Sequence, residues 1–171
     1  MQIEIIETSR LRGERVCESH WNLWFEMGRD SRVMATLGGI WNPGKAVEKL
    51  YWNCEQWVQY GHGLWMLFDK ATGSFTGRAG IRKVVVNANE EVELGYALMP
   101  EYWGKGLAVE IGQKALSVAF EQFHYSNVVC FTLTDNKQSE RVMQKLGFTY
   151  ESNIIHHNEP HVLYRYQNPA T

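Results

Sequence analysis

The chain has 171 residues, a formal net charge of −2 and a 13% aromatic content that includes seven tryptophans. That length suits one domain spanning residues 1–171, and the near-neutral charge argues against a general nucleic-acid or anionic-membrane surface. Cys17, Cys54 and Cys130 are few and scattered and lack zinc-ligand spacing, and no apolar leader or membrane span is apparent, so a soluble cytoplasmic protein with no metal is expected.

Residues Ile3–Arg12 carry enough β-branched and apolar positions for a short first strand with a basic end. From Glu14 to Met27 the spacing of Val16, His20, Leu23, Trp24 and Met27 predicts a helix. Asp30 or Ser31 caps a second short helix that stops at Gly38-Gly39, and Asn42-Pro43 starts a third that runs to about Tyr60. Three strands follow as an antiparallel meander: Leu64–Asp69, Phe75–Val86 and one centred on Val92–Leu98, joined by turns at Lys70–Ser74 and Asn87–Glu90.

Pro100 ends that third strand, and Gly104 and Gly106 open a helix predicted over Gly104–Phe123. Read with that start, the first turn holds glycines and no acidic side chain, so its free N–H groups and positive dipole end make an anion site. Asn127–Leu133 is a buried strand, Asp135 or Asn136 caps a helix that Gly147 stops, and Phe148–His156 pairs with His161–Tyr166 in a closing hairpin. The order implies an α+β fold, a mixed and mostly antiparallel central sheet with helices on both faces. A right-handed crossover over residues 92–133 places its two strands parallel, and a cleft opens where they part, at the glycine-rich helix start. Neither GxxxxGK[ST] nor GxGxxG is present, which argues against a P-loop or Rossmann nucleotide site.

The stretch YWGKGLAVE, residues 102–110, resembles the acyl-CoA pyrophosphate loop of the GNAT superfamily of N-acetyltransferases. It matches the Arg/Gln-x-x-Gly-x-Gly/Ala pattern at Gly106 and Ala108, with Trp103 in the first polar place. That replacement, the preceding ELGYAL, the NKQSERVMQKLGF run (Asn136–Phe148) and the opening ETSRLR are similar to the RimJ/RimL-like branch. The resemblance covers nearly the whole chain and implies acetyl-CoA as co-substrate, no metal, and an amine acceptor that is a protein N-terminus or a small molecule. Many members of the family pair as dimers, so it also admits a homodimer.

Carried onto this sequence, the resemblance implies that the backbone of Gly104, Lys105, Gly106, Leu107, Ala108 and Val109 holds the pyrophosphate. Tyr96, Ala97 and Leu98 would pair with pantetheine as an added strand, and Asn136 would reach coenzyme or substrate unless it only caps its helix. Lys105 either adds charge or is solvated. Glu93 is the candidate base, acting through water, or else a plain strand residue. The family's tyrosine acid is replaced here by Met143, which leaves Ser139 as candidate donor or else a surface serine. His20, Trp24 and Trp41, among the aromatic first helices, are candidates for the acceptor pocket, although core packing is the competing reading for each. His156, His157 and His161 flank the last hairpin without an obvious fourth ligand. Cys130, within a buried strand, is a poor nucleophile. The rival class is a non-catalytic acyl-CoA-binding module that keeps the loop and has lost the acid.

Overall fold

The computed structural model describes residues 3–170. Its centre is an eight-stranded sheet in the order β1-β2-β3-β4-β5-β6-β8-β7. The strands are β1 (Ile5–Glu7), β2 (Leu11–Arg15), β3 (Leu64–Asp69), β4 (Phe75–Val86), β5 (Asn89–Leu98), β6 (Asn127–Leu133), β7 (Thr149–His156) and β8 (Glu159–Gln167). The helices are α1 (Trp21–Arg29), α2 (Ser31–Met34), α3 (Pro43–Tyr60), α4 (Leu107–Ser117) and α5 (Lys137–Leu146). Every strand pairing is antiparallel except β5 with β6. The fold is α+β, as the order of elements implies.

Leu64, Trp65, Met66 and Leu67 of β3 are all buried, although successive side chains on a strand point to opposite faces. Both faces of the sheet are therefore covered at its centre. Trp57 and Trp65 meet edge to face there, and each indole N–H donates to a backbone carbonyl, of Leu64 and Ile3 respectively. Gly80 admits a close approach, since a Cβ on it would lie 2.1 Å from the Gly63 carbonyl oxygen.

Two expectations need correction. The expected single first strand is the two short strands β1 and β2, and β2 takes in Glu14 and Arg15, where the helix was expected to begin. Gly13 explains the pattern: a Cβ there would lie 2.8 Å from Ile6 and 3.0 Å from Trp65, so a strand position that packs closely in the sheet carries no side chain to display the alternation. The helix expected from Gly104 starts at Leu107 and passes into a π-helical turn at Val118–Gln122.

The feature that positions the site is the splay between β5 and β6. Their ladder has one paired position, Glu93 opposite Val129. Beyond it, residues 94–98 of β5 diverge from β6, and the chain crosses over through α4. Among the described residues no helix is long and apolar enough to cross a membrane.

Candidate active site

A cleft of about 600 Å³ occupies the splay. One wall is the start of α4: Trp103, Gly104, Gly106, Leu107, Ala108 and Val109 line it. Gly104 and Gly106 have φ of +72° and +77°, a left-handed backbone that glycine adopts without the strain of a Cβ. No carbonyl precedes Leu107, Ala108 and Val109 in the helix to accept from their amides, so these donors face the cleft with the positive end of the dipole. These features fit a pyrophosphate. Lys105 does not line the cleft, and its ammonium lies 5.4 Å from the Tyr102 ring centroid.

The loop is braced from the β1–β2 connection by Arg10, which lies in the ETSRLR run but to which the resemblance assigns no role. Arg10 donates from Nη1 to the Lys105 carbonyl (2.8 Å) and from Nε to Glu110 (2.7 Å). Glu110 lies in the first turn once the helix is seen to start at Leu107, which corrects the expectation of a turn free of acid. Desolvation pushes its carboxyl up, but hydrogen bonds from Thr8, Arg10 and Ser9 outweigh that and hold it at about 2. Its charge is thereby directed at Arg10. At the other end of the loop, the Trp103 indole N–H donates to the Leu98 carbonyl (2.7 Å).

The opposite wall carries side-chain chemistry. Glu93, 6% exposed, accepts from Arg82 Nη2 at 2.6 Å across the β4–β5 register. Arg82 can lie there because residue 95 is glycine, where a Cβ would come within 2.9 Å of the guanidinium. The guanidinium also lies 5.3 Å from the Trp52 ring centroid. The Tyr96 hydroxyl is 2.8 Å from Ser139 Oγ on α5, and burial pushes its pKa further above the ordinary phenol value. Cys130 is buried beside them, and burial together with the Glu93 charge pushes its thiol up.

Glu93, Tyr96, Ala97, Leu98, Asn136 and Ser139 all line this same cleft. Asn136 is occupied internally: its Oδ1 caps α5 by accepting from the Ser139 amide, and its Nδ2 donates to Thr132. His20, Trp24 and Trp41 do not line the cleft. His20 sits at the start of α1 with Nδ1 3.2 Å from the Cys17 amide nitrogen, accepting from it. The Trp24 indole donates to the Ala46 carbonyl in the core, and Trp41 packs on Gly28, where a Cβ would meet its ring at 2.2 Å. The two indoles instead form a bed for Arg78, whose guanidinium carbon is 4.7 Å and 5.6 Å from their ring centroids and which does line the cleft. A basic residue in the small and apolar run FTGRAGI was the signal for it. Met143 is fully buried in the core. Among the described residues no three His, Cys, Asp or Glu side chains are grouped as a metal site needs, and His156 packs against Phe131 and His157.

Residues 10–149 match the acetyltransferase (GNAT) domain family, most of the chain. The chain belongs to the GNAT acetyltransferase family. Its relatives include the uncharacterized protein YkkB of Bacillus subtilis, 30% identical over 135 residues that cover 79% of this chain and 78% of that one. Among solved structures, an acetyltransferase from Agrobacterium tumefaciens superposes with a TM-score of 0.85 at 22% identity, over 98% of this chain and 96% of that one. RimL, a ribosomal L7/L12 α-N-protein acetyltransferase solved with coenzyme A, superposes with a TM-score of 0.82 at 16% identity, over 98% of this chain and all of the other. At such identities the two structures speak for the fold. Family membership makes this GNAT protein an acyltransferase of a family that uses acetyl-CoA and acts on amines.

Proposed function

We propose that this acetyltransferase moves the acetyl group of acetyl-CoA directly to a primary amine, with no covalent acyl-enzyme, and that it belongs to the RimJ/RimL-like branch. One observation carries the reading: the free amides at the start of α4 and the Glu93 and Tyr96–Ser139 groups line one cleft, where β5 and β6 part beyond their single paired position. The acceptor class is a protein N-terminus or a small-molecule amine.

The amides of Leu107, Ala108 and Val109, with Gly104 and Gly106 keeping Cβ atoms out of the way, would hold the pyrophosphate. From Tyr96 to Leu98, β5 pairs with β4 along one edge and has no ladder partner on its β6 side, which offers that edge to the pantetheine amides. Acetyl-CoA brings a thioester, at which the amine nitrogen forms the new C–N bond as the C–S bond breaks. Glu93, within 2.6 Å of Arg82 Nη2, takes the amine proton through water. The Tyr96 hydroxyl, protonated at neutral pH as any phenol of pKa about 10 or above is, and Ser139 form the donor pair that returns a proton to the departing sulfur. Cys130 is excluded as an acyl carrier by the raised pKa of its buried thiol.

The test is to mix the protein with acetyl-CoA and a panel of amines and peptides and follow free thiol. Amine-dependent thiol release with the acetylated amine as product is the expected result. Saturable binding of acetyl-CoA with no acetylated product from any amine would sink the catalytic assignment and leave the acyl-CoA-binding alternative.

A further inference from the structure

The cleft wall farthest along β5 holds a cation that the transfer chemistry does not use. Four arginines line the cleft, and among the described residues Arg32 is paired with Asp30 and Glu101, and Arg82 with Glu93, while Arg141 is exposed on α5. Among the described residues Arg78 has no ion pair and no side-chain hydrogen bond, and its Nε is buried without a partner. Trp24 and Trp41 engage its guanidinium through their rings. Such contacts satisfy the charge but leave the in-plane N–H donors unsatisfied, because a guanidinium presents five donors in a fixed fork. A fork of that kind, pre-set by two indoles on a cleft wall, matches a planar carboxylate.

We infer that the acceptor is an amine that also bears a carboxylate, and that Arg78 is the residue that recognises it. This rests on the amine-acetyltransferase reading of the same cleft. Arg78 and Arg82 project from the same face of β4, four residues apart, which is about 13 Å of strand at ~3.3 Å per residue. Glu93, the group that receives the amine proton, is opposite Arg82. Amine and carboxylate are thus addressed at separate points of one wall, and an amino acid with several bonds between the two groups spans them better than glycine does. Burial, reinforced by Arg82, lowers the Arg78 guanidinium to about 9, so it is still a cation at neutral pH.

The experiment compares α- and ω-amino acids with the amines that lack only their carboxylate, in thiol-release assays on the wild type, Arg78→Gln and Arg78→Lys. For at least one pair the wild type should favour the amino acid in kcat/KM by about tenfold to a hundredfold, the range of a charge-assisted pair in a partly dry site. Arg78→Gln should collapse that ratio towards one, mainly through KM, and Arg78→Lys should restore part of it. Equal kcat/KM within every pair, or an Arg78→Gln loss that is the same for both members, overturns the inference. Binding is followed separately by tryptophan fluorescence, since the indoles of Trp24 and Trp41 lie against the guanidinium. A saturable change with the amino acid that Arg78→Gln weakens supports carboxylate recognition even where no amine is acetylated, in which case the catalytic reading fails alone. If no carboxylate probe gives a saturable change in the wild type and none is favoured in turnover, Arg78 is a packing residue. Melting curves of both variants show whether a loss comes from unfolding.

Discussion

The α4 end of the cleft is built from backbone, and the β4–β5 end from side chains that neutralise or shield one another. At the first, the donors are amides whose direction follows from helix geometry, so almost any side chains suffice provided that two positions are glycine. At the second, every group depends on a partner from another strand or helix: Glu93 on Arg82, Tyr96 on Ser139, Arg78 on Trp24 and Trp41. Substitution at the backbone end should act through single positions and affect coenzyme binding. Substitution at the side-chain end should act through pairs and affect turnover or acceptor choice.

The largest effect is expected for Gly106→Glu. It forces a side chain onto φ +77° and places a carboxylate at the anion site, so acetyl-CoA affinity by calorimetry should fall by roughly a hundredfold or more. Retained affinity would remove the loop from the binding site. Glu93→Gln comes next and tests the other end: kcat should drop by about a hundredfold or more, typical of a lost general base, with acetyl-CoA affinity nearly unchanged. If affinity and kcat fell together, the division between the two ends would be lost.

The same division explains what the sequence disclosed. β3, β4 and β6 have the bounds expected from their apolar and β-branched runs between turns, because those runs are local. The glycine-rich start of the helix was legible too, since Gly106 directly precedes Leu107, Gly104 lies three residues before it, and both adopt a positive φ. Arg82 opposite Glu93, Gly95 beneath that guanidinium, and Tyr96 against Ser139 are facts of register and of crossover, separated by 11 to 43 positions, and no window of sequence shows them. Trp24 and Trp41 illustrate the converse. Their place in the aromatic first helices makes them acceptor-pocket candidates, yet they lie behind the cleft wall, against Arg78.

Tyr96→Phe removes the hydroxyl but keeps the ring, and it should lower kcat by about tenfold, less than the roughly hundredfold or more of a wholly lost acid–base group because Ser139 is retained. Ser139→Ala should cost a similar amount, and the double variant little more than either alone, because the two act as one unit. Strictly additive losses would mean that the hydroxyls act independently.

The smallest effect tests whether the backbone end is independent of side chains altogether. Arg10 touches no cleft atom that the chemistry needs, but it ties the Lys105 carbonyl to Glu110. Arg10→Ala should weaken acetyl-CoA binding several-fold, about 1 kcal/mol, by loosening the loop and leaving the Glu110 charge in the first helical turn without its cation. Arg10→Ala/Glu110→Gln should recover part of the affinity, since it removes the unpaired charge without restoring the brace. The pair has a pH signature as well. A carboxyl held at about 2 rather than 4.5 contributes stability that is fully present above about 4.5 and is lost as pH falls through about 2. With Arg10 half exposed that contribution is discounted to about 1 kcal/mol, so denaturant midpoints should fall across that acid window in the wild type and fall less in Glu110→Gln. An identical acid profile in the two proteins would show that the ion pair is not holding the loop.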